Sequence, residues 1–450
     1  MRGCSAAVGR GVLATVLCLA SCGQLTGDPG AQPTAGPTPD PTPAPTAPAG
    51  TPTWREVDGG AGYYAAFEPT LPGGPDAFPV GVWLADVVEP SDVVADRRAG
   101  ITTYVDLTTN SDPALLAGTG AGVLLSRDEP DADGYVLADE VDMWAGAGEA
   151  AWTGRWPGQG AICEPEQAPC GYTVQATVRG NLPAGGLAYA NYGKGVAFWQ
   201  PDDAAARFVN DYADVVSISA YWFTDPRICG GGEGGLLLAD GADVPPESCR
   251  RGASYGATVD RARSLVRPAG SRPVWAFVEL GHPFTEEDAP TITGPQVRAA
   301  VWSSVIHGAR GVVYFAHSFG GGCWSYHLLR DACGAEVRPW VTQVNRQLAE
   351  LAPALNAPFL DGALGVAGPV DTAVRVLDGE QYLLAASTGT GPADVTFAPL
   401  CAADGPVEVL GEDREVEIVG GRFTDAFADA DAVHLYRYAH DADAAPGCAP

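Results

Sequence analysis

Basic residues are scarce in this chain of 450 residues. It has 26 lysines and arginines against 55 aspartates and glutamates, which gives a formal net charge of -29 at pH 7. Such a chain repels nucleic-acid phosphates and anionic lipid headgroups, so both are excluded as binding partners of its surface. The acidic residues are scattered rather than run together, which is typical of a solvated acidic surface.

Several motifs of catalysis and cofactor binding are also absent. No Gly-x-Gly-x-x-Gly opens a helix after a strand, and neither a Walker loop nor a Gly-x-Ser-x-Gly elbow occurs. The glycine-rich stretch Gly320–Gly322 leads to a cysteine, which suits a stapled loop better than a phosphate cradle. No Cys-x-x-Cys or Cys/His cluster has the spacing of metal ligands. We therefore expect neither a cofactor nor a metal.

The N-terminus has the pattern of an export signal. Arg2 and Arg10 accompany an apolar run, Gly11–Ala20, that is too short to span a bilayer as a stable helix. The sequence LASCG then resembles a bacterial lipobox, which implies cleavage before Cys22 and lipidation of its sulfur. The alternative is an ordinary secretory signal with an incidental cysteine.

A proline- and threonine-rich linker follows the signal. Its Pro-Thr repeats favour extended polyproline geometry and act as a semi-rigid spacer. We predict a signal over residues 1–21 and a linker over residues 22–53. The folded part would then be a monomer, anchored through Cys22 to the outer face of a bacterial membrane and held away from it.

Eight cysteines remain beyond the signal and the lipid site. An even number in an exported chain indicates disulfides, with a metal site as the weaker alternative. Many connectivities are possible, and pairing neighbours along the chain is the simplest. Those pairs are Cys163–Cys170, Cys229–Cys249, Cys323–Cys333 and Cys401–Cys448.

Short apolar runs alternate with longer segments that permit helices. This alternation predicts a parallel sheet with helical crossovers, and eight such runs match a (β/α)₈ barrel, which we place at residues 54–356. The runs are Val80–Ala85, Thr102–Leu107, Gly122–Ser126, Tyr135–Ala138, Gly186–Asn191, Val215–Tyr221, Pro273–Val278 and Gly311–Ala316.

Two helices and a C-terminal change in sequence pattern complete the predicted fold. A helix over Gly294–Gly308, capped by Thr293, should pack one face on the barrel, and a helix over Pro339–Leu355 should close it. From about Asp361, short strands are separated by glycine and aspartate turns. They predict an antiparallel β-sandwich over residues 357–450.

Two of the apolar runs end in carboxylates. Asp139 and Glu140 follow the fourth run and Glu279 follows the seventh. Active sites of (β/α)₈ barrels lie at the carboxyl ends of the strands, and two facing carboxylates are what cleavage of a glycosidic bond requires. The alternative for Glu279 is a solvated residue at a strand end. Asp128 ends the third run and is either a site acid or the salt-bridge partner of Arg127.

Three stretches carry a resemblance to a known family. Phe78–Trp83, Asp139–Met143 and Gln296–Phe315, in this order and spacing, resemble a bacterial glycoside-hydrolase-like (β/α)₈ group over about residues 75–440. The resemblance implies a carbohydrate-active enzyme of the retaining clan, with acids on the fourth and seventh strands. One position departs from that clan, which usually has asparagine before the strand-four glutamate, where this chain has Asp139. The departure puts the separate roles of Asp139 and Glu140 in question.

The resulting hypothesis is a retaining glycoside hydrolase. Glu140 would be the acid/base and Glu279 the nucleophile, with their carboxyl groups ~5–5.5 Å apart. A non-catalytic carbohydrate-binding protein on the same scaffold is the first alternative, and the Asp139 departure favours it. An adhesion or wall-spacing protein, with no affinity for sugar, is the second.

Other strand ends carry polar or aromatic groups suited to a sugar. Asp106 ends the second run, Tyr221 is placed to steady the nucleophile, and any single tryptophan has core packing as its alternative. Trp275 and Trp302 are assigned to packing, and His307 to capping or packing at a helix end. The predicted substrate-binding residues are Asp139, Asp128, Asn191, Tyr221, Trp222, His317, Trp83 and Trp324.

Overall fold

The computed structural model describes residues 50–71, 77–127, 129, 132–286 and 289–450. The signal at residues 1–21, the lipid site Cys22, most of the linker and Asp128 lie outside these residues. Among the residues that are described, no helix has the length and apolarity needed to cross a membrane.

Eight parallel strands form a nearly closed barrel whose spatial order follows the chain. The eighth strand pairs with the first, and a single bridge between Val216 and Val274 joins the sixth to the seventh. The predicted (β/α)₈ fold is confirmed, and every predicted run overlaps one strand. From the first to the eighth, the barrel strands are Val80–Ala85, Thr103–Leu107, Gly122–Leu125, Gly134–Val136, Leu187–Tyr192, Val215–Ile218, Ala276–Glu279 and Val312–Phe315.

The barrel strands are apolar on both faces because both faces are buried. One set of side chains, including Val105, Tyr189 and Phe277, fills the barrel interior. The other set packs against the surrounding helices. At the amino-terminal end of the strands, a 3₁₀ turn at Tyr63–Ala66 closes the interior, and Trp275 Nε1 donates a hydrogen bond to Tyr64 Oη at 2.8 Å.

Nine α-helices surround the barrel in the described residues, and none of them lies between the second and third strands or between the third and fourth. The helices are α1 Pro90–Arg98, α2 Val141–Trp144, α3 Gly171–Gly180, α4 Asp202–Asp211, α5 Gly234–Leu238, α6 Pro246–Cys249, α7 Gly252–Leu265, α8 Gly294–Ile306 and α9 Arg338–Leu355. Shorter turns are the 3₁₀ segments Tyr63–Ala66, Pro113–Leu116 and Ala332–Gly334 and the π-helical turn Gly195–Trp199.

Helix α8 begins and ends as the sequence predicts. Thr293 and Gln296 form a capping box, and Gly308 takes the left-handed conformation that stops the chain from continuing as a helix. The prediction that one face packs on the barrel was incomplete. Buried residues surround the α8 axis because the helix lies between the barrel and the C-terminal sheet.

The C-terminal strands form two antiparallel sheets around a separate apolar core. The larger sheet also takes in Thr53–Arg55, a strand that the sequence analysis did not predict, which pairs with Phe359–Asp361. In spatial order its strands are Thr53–Arg55, Phe359–Asp361, Val370–Leu377, Glu380–Ser387, Val433–Ala439, Gly405–Val409 and Arg414–Ile418. The smaller sheet is Leu364–Ala367, Ala393–Pro399 and Phe423–Phe427.

His307, at the end of α8, joins three elements. Its Nδ1 lies 2.7 Å from an oxygen of Asp260 on α7, and its Nε2 lies 3.0 Å from an oxygen of Asp371 on the C-terminal sheet. Burial opposes the charged ring, but the two carboxylates outweigh burial and raise the pKa of His307 to about 9. The imidazolium therefore ties the sheet to the barrel helices.

This contact predicts a pH-dependent stability. Because the folded pKa is above the unfolded value of 6.5, the stabilisation is complete below that pH and is lost as the pH rises through about 9. The shift corresponds to about 3 kcal/mol, which we reduce to about 1–2 kcal/mol because the two aspartates are partly exposed. Between pH 6 and pH 9.5, urea unfolding should show a loss of stability that is larger in the wild type than in His307→Gln by this amount.

His440→Gln is the matched control for that measurement, because the His440 ring bonds a backbone carbonyl instead of a carboxylate. It should keep the wild-type difference between the two pH values. Equal pH dependence in the wild type and His307→Gln would contradict the prediction.

Candidate active site

Asp139 and Glu140 lie where the fourth barrel strand gives way to α2, at the carboxyl-end mouth of the barrel. Asp139 Oδ1 accepts a hydrogen bond from Asn191 Nδ2 at 2.9 Å, and Glu140 Oε1 accepts one from Ser219 Oγ at 2.6 Å. Asn191 in turn accepts from Ser217 Oγ at 2.7 Å. The two carboxyl groups are therefore held by side chains at the ends of the fifth and sixth strands.

The environment favours the protonated form of both acids. Loss of contact with water raises the pKa of Asp139, and the neighbouring Glu140 raises it further. Burial likewise raises the pKa of Glu140, although Ser219 and Lys194 oppose the shift. Asp139 keeps exposed surface at the mouth, and Glu140 is half-buried. Adjacent acids of this kind bind and release protons as a pair.

Three residues at the mouth have left-handed backbone angles that non-glycine residues rarely adopt. Their φ values are +46° for Leu84, +60° for Asp106 and +46° for Glu140. Each such residue costs about 1–3 kcal/mol and persists only where the surrounding structure enforces it, commonly at functional sites. All three lie at the carboxyl ends of barrel strands, which supports a functional role for this end.

A cleft of about 490 Å³ opens beside the acid pair. Asp106 and Asp139 both line it, with Trp83 on the inner wall and Trp152 and Trp156 on the outer wall. It extends along the fourth strand towards the end of α3. Its size and its mixture of aromatic walls with a few polar groups are typical of a small-molecule or glycan site.

The large exposed aromatic residues are concentrated at the same end of the barrel. Among the described residues, every tryptophan, tyrosine or phenylalanine classed as exposed lies between a barrel strand and its following helix, or in the first turn of that helix. Isolated apolar residues on a surface are common, but a set confined to one end marks a binding surface. They are Trp156, Trp199, Trp324, Tyr326 and Trp340.

Two disulfides hold the aromatic loops. Cys163–Cys170 closes the loop after Trp156, and Cys323–Cys333 encloses Trp324 and Tyr326. All four disulfides join neighbouring cysteines, as the sequence predicts, the other two being Cys229–Cys249 and Cys401–Cys448. The disulfides Cys163–Cys170 and Cys323–Cys333 restrict the conformations of the loops that carry the aromatic side chains.

Glu279 ends the seventh strand but has no exposed surface. Its Oε1 accepts hydrogen bonds from Phe223 N at 2.8 Å and Tyr255 Oη at 2.7 Å, and its Oε2 accepts one from Thr224 N at 3.1 Å. Burial raises the pKa of Glu279 to about 7 despite these donors. The carboxyl group anchors the loop that follows the sixth strand, and both of its oxygens are occupied.

Other residues predicted to bind substrate have varied positions. Trp324 is 64% exposed and is available to a ligand, and Tyr221 is half-buried among Phe277 and Phe315. Trp222 is fully buried and donates to Thr258 Oγ1 at 2.8 Å, so we assign it to the core instead of to a sugar. The position of Trp222 at a strand end did not indicate that its side chain would be buried.

The remaining predicted residues are buried beneath the mouth of the barrel. Asn191 is 1% exposed and positions Asp139. Burial lowers the pKa of His317, and its neutral ring donates through Nε2 to the carbonyl of Leu84 at 3.2 Å. Trp83 is buried in the barrel interior and shows only an edge to the cleft. The packing assignments of Trp275 and Trp302 agree with their burial.

Sequence reasoning missed several parts of the site. Trp152 lies in a two-residue strand paired with Cys163–Glu164, and Trp156 and Tyr326 lie in loops. The sequence around them has no strand or helix periodicity, and only their position near paired cysteines was a signal. Ser219 falls one residue beyond the sixth strand and looked like part of it. Asp142 is buried beside Glu140, where it accepts hydrogen bonds from Gly193 N and Val196 N at 3.0 and 2.8 Å.

Metal ligands do not assemble in this part of the chain. Within the described ranges, no group of three or more histidine, cysteine, aspartate or glutamate side chains is placed to hold a metal ion. Arg127, which the sequence analysis weighed as a partner of Asp128, pairs with Glu129 at 3.0 Å.

Comparisons with known proteins give no family assignment. No family model matches the chain, and no curated protein matches it. Similar solved structures include a noncanonic maltogenic alpha-amylase AmyB from Thermotoga neapolitana, at 9% identity and TM-score 0.47 over 80% of this chain and 98% of that chain. A glycoside hydrolase family 5 protein from Bacteroides vulgatus has 11% identity and TM-score 0.45, over 82% and 91% of the two chains.

A GH30 endoxylanase from Clostridium papyrosolvens is a further similar structure, at 11% identity and TM-score 0.39 over 86% of this chain and 98% of that chain. At these identities and TM-scores, the likeness supports no conclusion on activity. The barrel follows from the strand pairing described above.

Proposed function

We propose that this protein hydrolyses a glycosidic bond of a glycan bound across the mouth of the barrel. The observation that carries the proposal is a pair of adjacent carboxyl groups with raised pKa beside an aromatic-walled cleft at the carboxyl ends of the strands. Catalytic residues of (β/α)₈ enzymes occupy this end of the fold.

The acid pair suits proton donation to a leaving oxygen. A glycosidic oxygen leaves poorly unless it is protonated, so one carboxyl group must keep its proton at working pH. Burial gives both Asp139 and Glu140 this property, and the neighbouring charge of Glu140 adds to it at Asp139. We propose that the pair holds the proton that is transferred, with Glu140 as the acid/base and Asp139 sharing its proton.

The charges at the mouth support a neutral or amino-sugar glycan. The two basic side chains near the acid pair are neutralised: Arg127 by Glu129, and Lys194 by Asp225 and Glu233 at 2.5 and 2.7 Å. An anionic sugar would meet Asp106, Asp139 and Glu140 with no unpaired lysine or arginine among the described residues that line the cleft. Exposed aromatic rings such as Trp324 suit the faces of pyranose rings.

The second carboxylate decides the stereochemical course. A retaining mechanism requires Glu279 to attack the anomeric carbon, and that hypothesis stays a prediction. Glu279 has no exposed surface and both of its oxygens accept hydrogen bonds, which weighs against direct attack.

Incubation with a panel of neutral polysaccharides and p-nitrophenyl oligosaccharides tests the proposed hydrolysis. Release of reducing ends or nitrophenol by the wild type is the expected result. Absence of release across the panel would contradict the proposed function.

A second function, carbohydrate binding without catalysis, is favoured by the same burial of Glu279. Both functions predict that Trp324→Ala weakens binding of an oligosaccharide, because the substitution removes an aromatic ring that would stack on a sugar. We expect at least about a tenfold rise in Kd by isothermal titration, corresponding to about 1.4 kcal/mol.

Val419→Ser is the control for that titration, because Val419 is 66% exposed on the C-terminal sandwich. It should leave Kd unchanged. If the wild type binds no glycan, both carbohydrate functions fail and the adhesion or spacing role predicted as the second alternative gains support.

We also propose that the protein is anchored at the outer face of the bacterial membrane through Cys22. The support is the lipobox-like sequence followed by a proline-rich spacer. Cys22→Ala should move the protein from the membrane fraction to the medium and abolish labelling by radioactive palmitate. Continued membrane association of this variant would contradict the anchor.

A further inference from the structure

We propose that Asp106 is the second carboxylate of the reaction and acts as general base on the attacking water. This inference rests on the proposed function and assigns to Asp106 the place that the sequence hypothesis gave to Glu279. It makes the reaction inverting.

Asp106 lies in the same cleft as Asp139, the member of the acid pair that lines it. It is the penultimate residue of the second barrel strand, two strands away from Asp139, and both residues line the 490 Å³ space together with Trp83. The charge of Asp106 is among the influences that disfavour ionisation of Asp139. A cleft of this size has room for a sugar ring and a water molecule.

The hydrogen bonds of Asp106 leave one oxygen available. Oδ1 accepts from Leu107 N at 2.9 Å, Ser126 N at 3.2 Å and Ser126 Oγ at 3.1 Å. Among the described residues, no group donates to Oδ2. The carboxylate is thus fixed by one oxygen and free at the other, whereas both oxygens of Glu279 are occupied.

The backbone turns Asp106 towards the mouth. Val105 points into the barrel and Leu107 packs outside, so the regular alternation of the strand breaks at Asp106. Its left-handed conformation, with Leu84 left-handed opposite it on the first strand, accounts for the break. Such interruptions of a strand re-aim a side chain and occur next to active sites. Aspartate tolerates this conformation better than most residues.

The proposed step conserves atoms and charge. Asp106 takes one proton from water as the water oxygen forms a bond to the anomeric carbon. The bond from that carbon to the leaving oxygen breaks, and the leaving oxygen takes the proton held by Asp139 and Glu140. The products are an alcohol and a sugar of inverted anomeric configuration, after which the proton on Asp106 passes to solvent and the acid pair is reprotonated.

Proton NMR of the first product tests the inference directly. With the p-nitrophenyl oligosaccharide that the wild type cleaves, we expect the initial sugar to have the inverted configuration. Asp106→Asn should lower kcat by about 10²–10⁴-fold while keeping the hydrogen bonds to Ser126, because an amide oxygen still accepts them. Asp112→Asn is the control, since Asp112 is exposed in the same connection and outside the cleft.

A second measurement does not depend on activity. Carbon NMR titration of the side-chain carboxyl groups should show a lower pKa for Asp139 in Asp106→Asn than in the wild type or Asp112→Asn. An unchanged Asp139 titration would overturn the inference, as would retention of configuration or full activity in Asp106→Asn. Retention would leave the proposed hydrolysis standing, whereas failure of the wild type to cleave any substrate would remove both.

Discussion

Asp139→Asn and Glu140→Gln each lower kcat by about 10²–10⁴-fold on the glycan that the wild type cleaves, because each disrupts the pair that holds the transferred proton. The double variant should lose little more than the more damaged single variant, since residues that act as a unit are not additive. Initial rates over a range of substrate concentrations separate this loss of kcat from any change in KM.

The pH dependence of the rate tests the coupling between the two acids. Raised pKa values for the pair place the alkaline limb of the wild-type profile above the ordinary range of carboxyl groups. A variant that retains one acid of the pair loses the repulsion from its neighbour, so that limb should move to lower pH. Asp203→Asn, at the exposed start of α4, serves as a control and should keep the wild-type rate and profile. Wild-type activity in both pair variants would contradict the assignment.

Glu279→Ala loses about 3–5 kcal/mol of stability, the other large effect that the structure predicts. Truncation leaves the buried amides of Phe223 and Thr224 without their acceptor, and each buried unsatisfied group costs about 1–3 kcal/mol. The hydroxyl of Tyr255 also loses its partner. Urea unfolding at pH 7 measures the loss, and a change below about 1 kcal/mol would show that these bonds contribute little.

Glu279→Gln separates the structural role from the catalytic one. The folded pKa of about 7 exceeds the ordinary 4.5, so this group contributes stability that is complete below pH 4.5 and lost as the pH rises through about 7. Glutamine resembles the protonated acid and should remove this part of the pH dependence while hydrolysis continues. Loss of hydrolysis in a folded Glu279→Gln protein, together with retention of configuration, would instead establish Glu279 as the nucleophile.

The barrel was predictable because its signals are local and repeated. Each strand is a short apolar run that ends at a polar residue, and the capping pattern at Thr293 marks the start of α8 without reference to the rest of the fold. The pairing of Thr53–Arg55 with Phe359–Asp361 was not predictable. It joins segments that are far apart in sequence, and three residues carry no periodicity.

The position of an acid was predictable, but the direction of its side chain was not. Asp139 and Glu279 look alike in sequence, since each ends an apolar run. In the structure, a loop donates two backbone N–H groups to Glu279 and buries it, whereas Asp139 remains at the cleft. Asp106 was noted only as a strand end, because the left-handed turn that aims it depends on the facing strand.

The edge strand Thr53–Arg55 has a consequence for how the molecule is held. Trp54 donates its indole N–H to the carbonyls of Gly447 and Ala449, so the first and last parts of the described chain meet on the sandwich. A load applied through the residues before Thr53 is therefore taken up by that sheet. Whatever is joined there, a lipid tether or an affinity tag, pulls on the sandwich and leaves the barrel entrance unloaded.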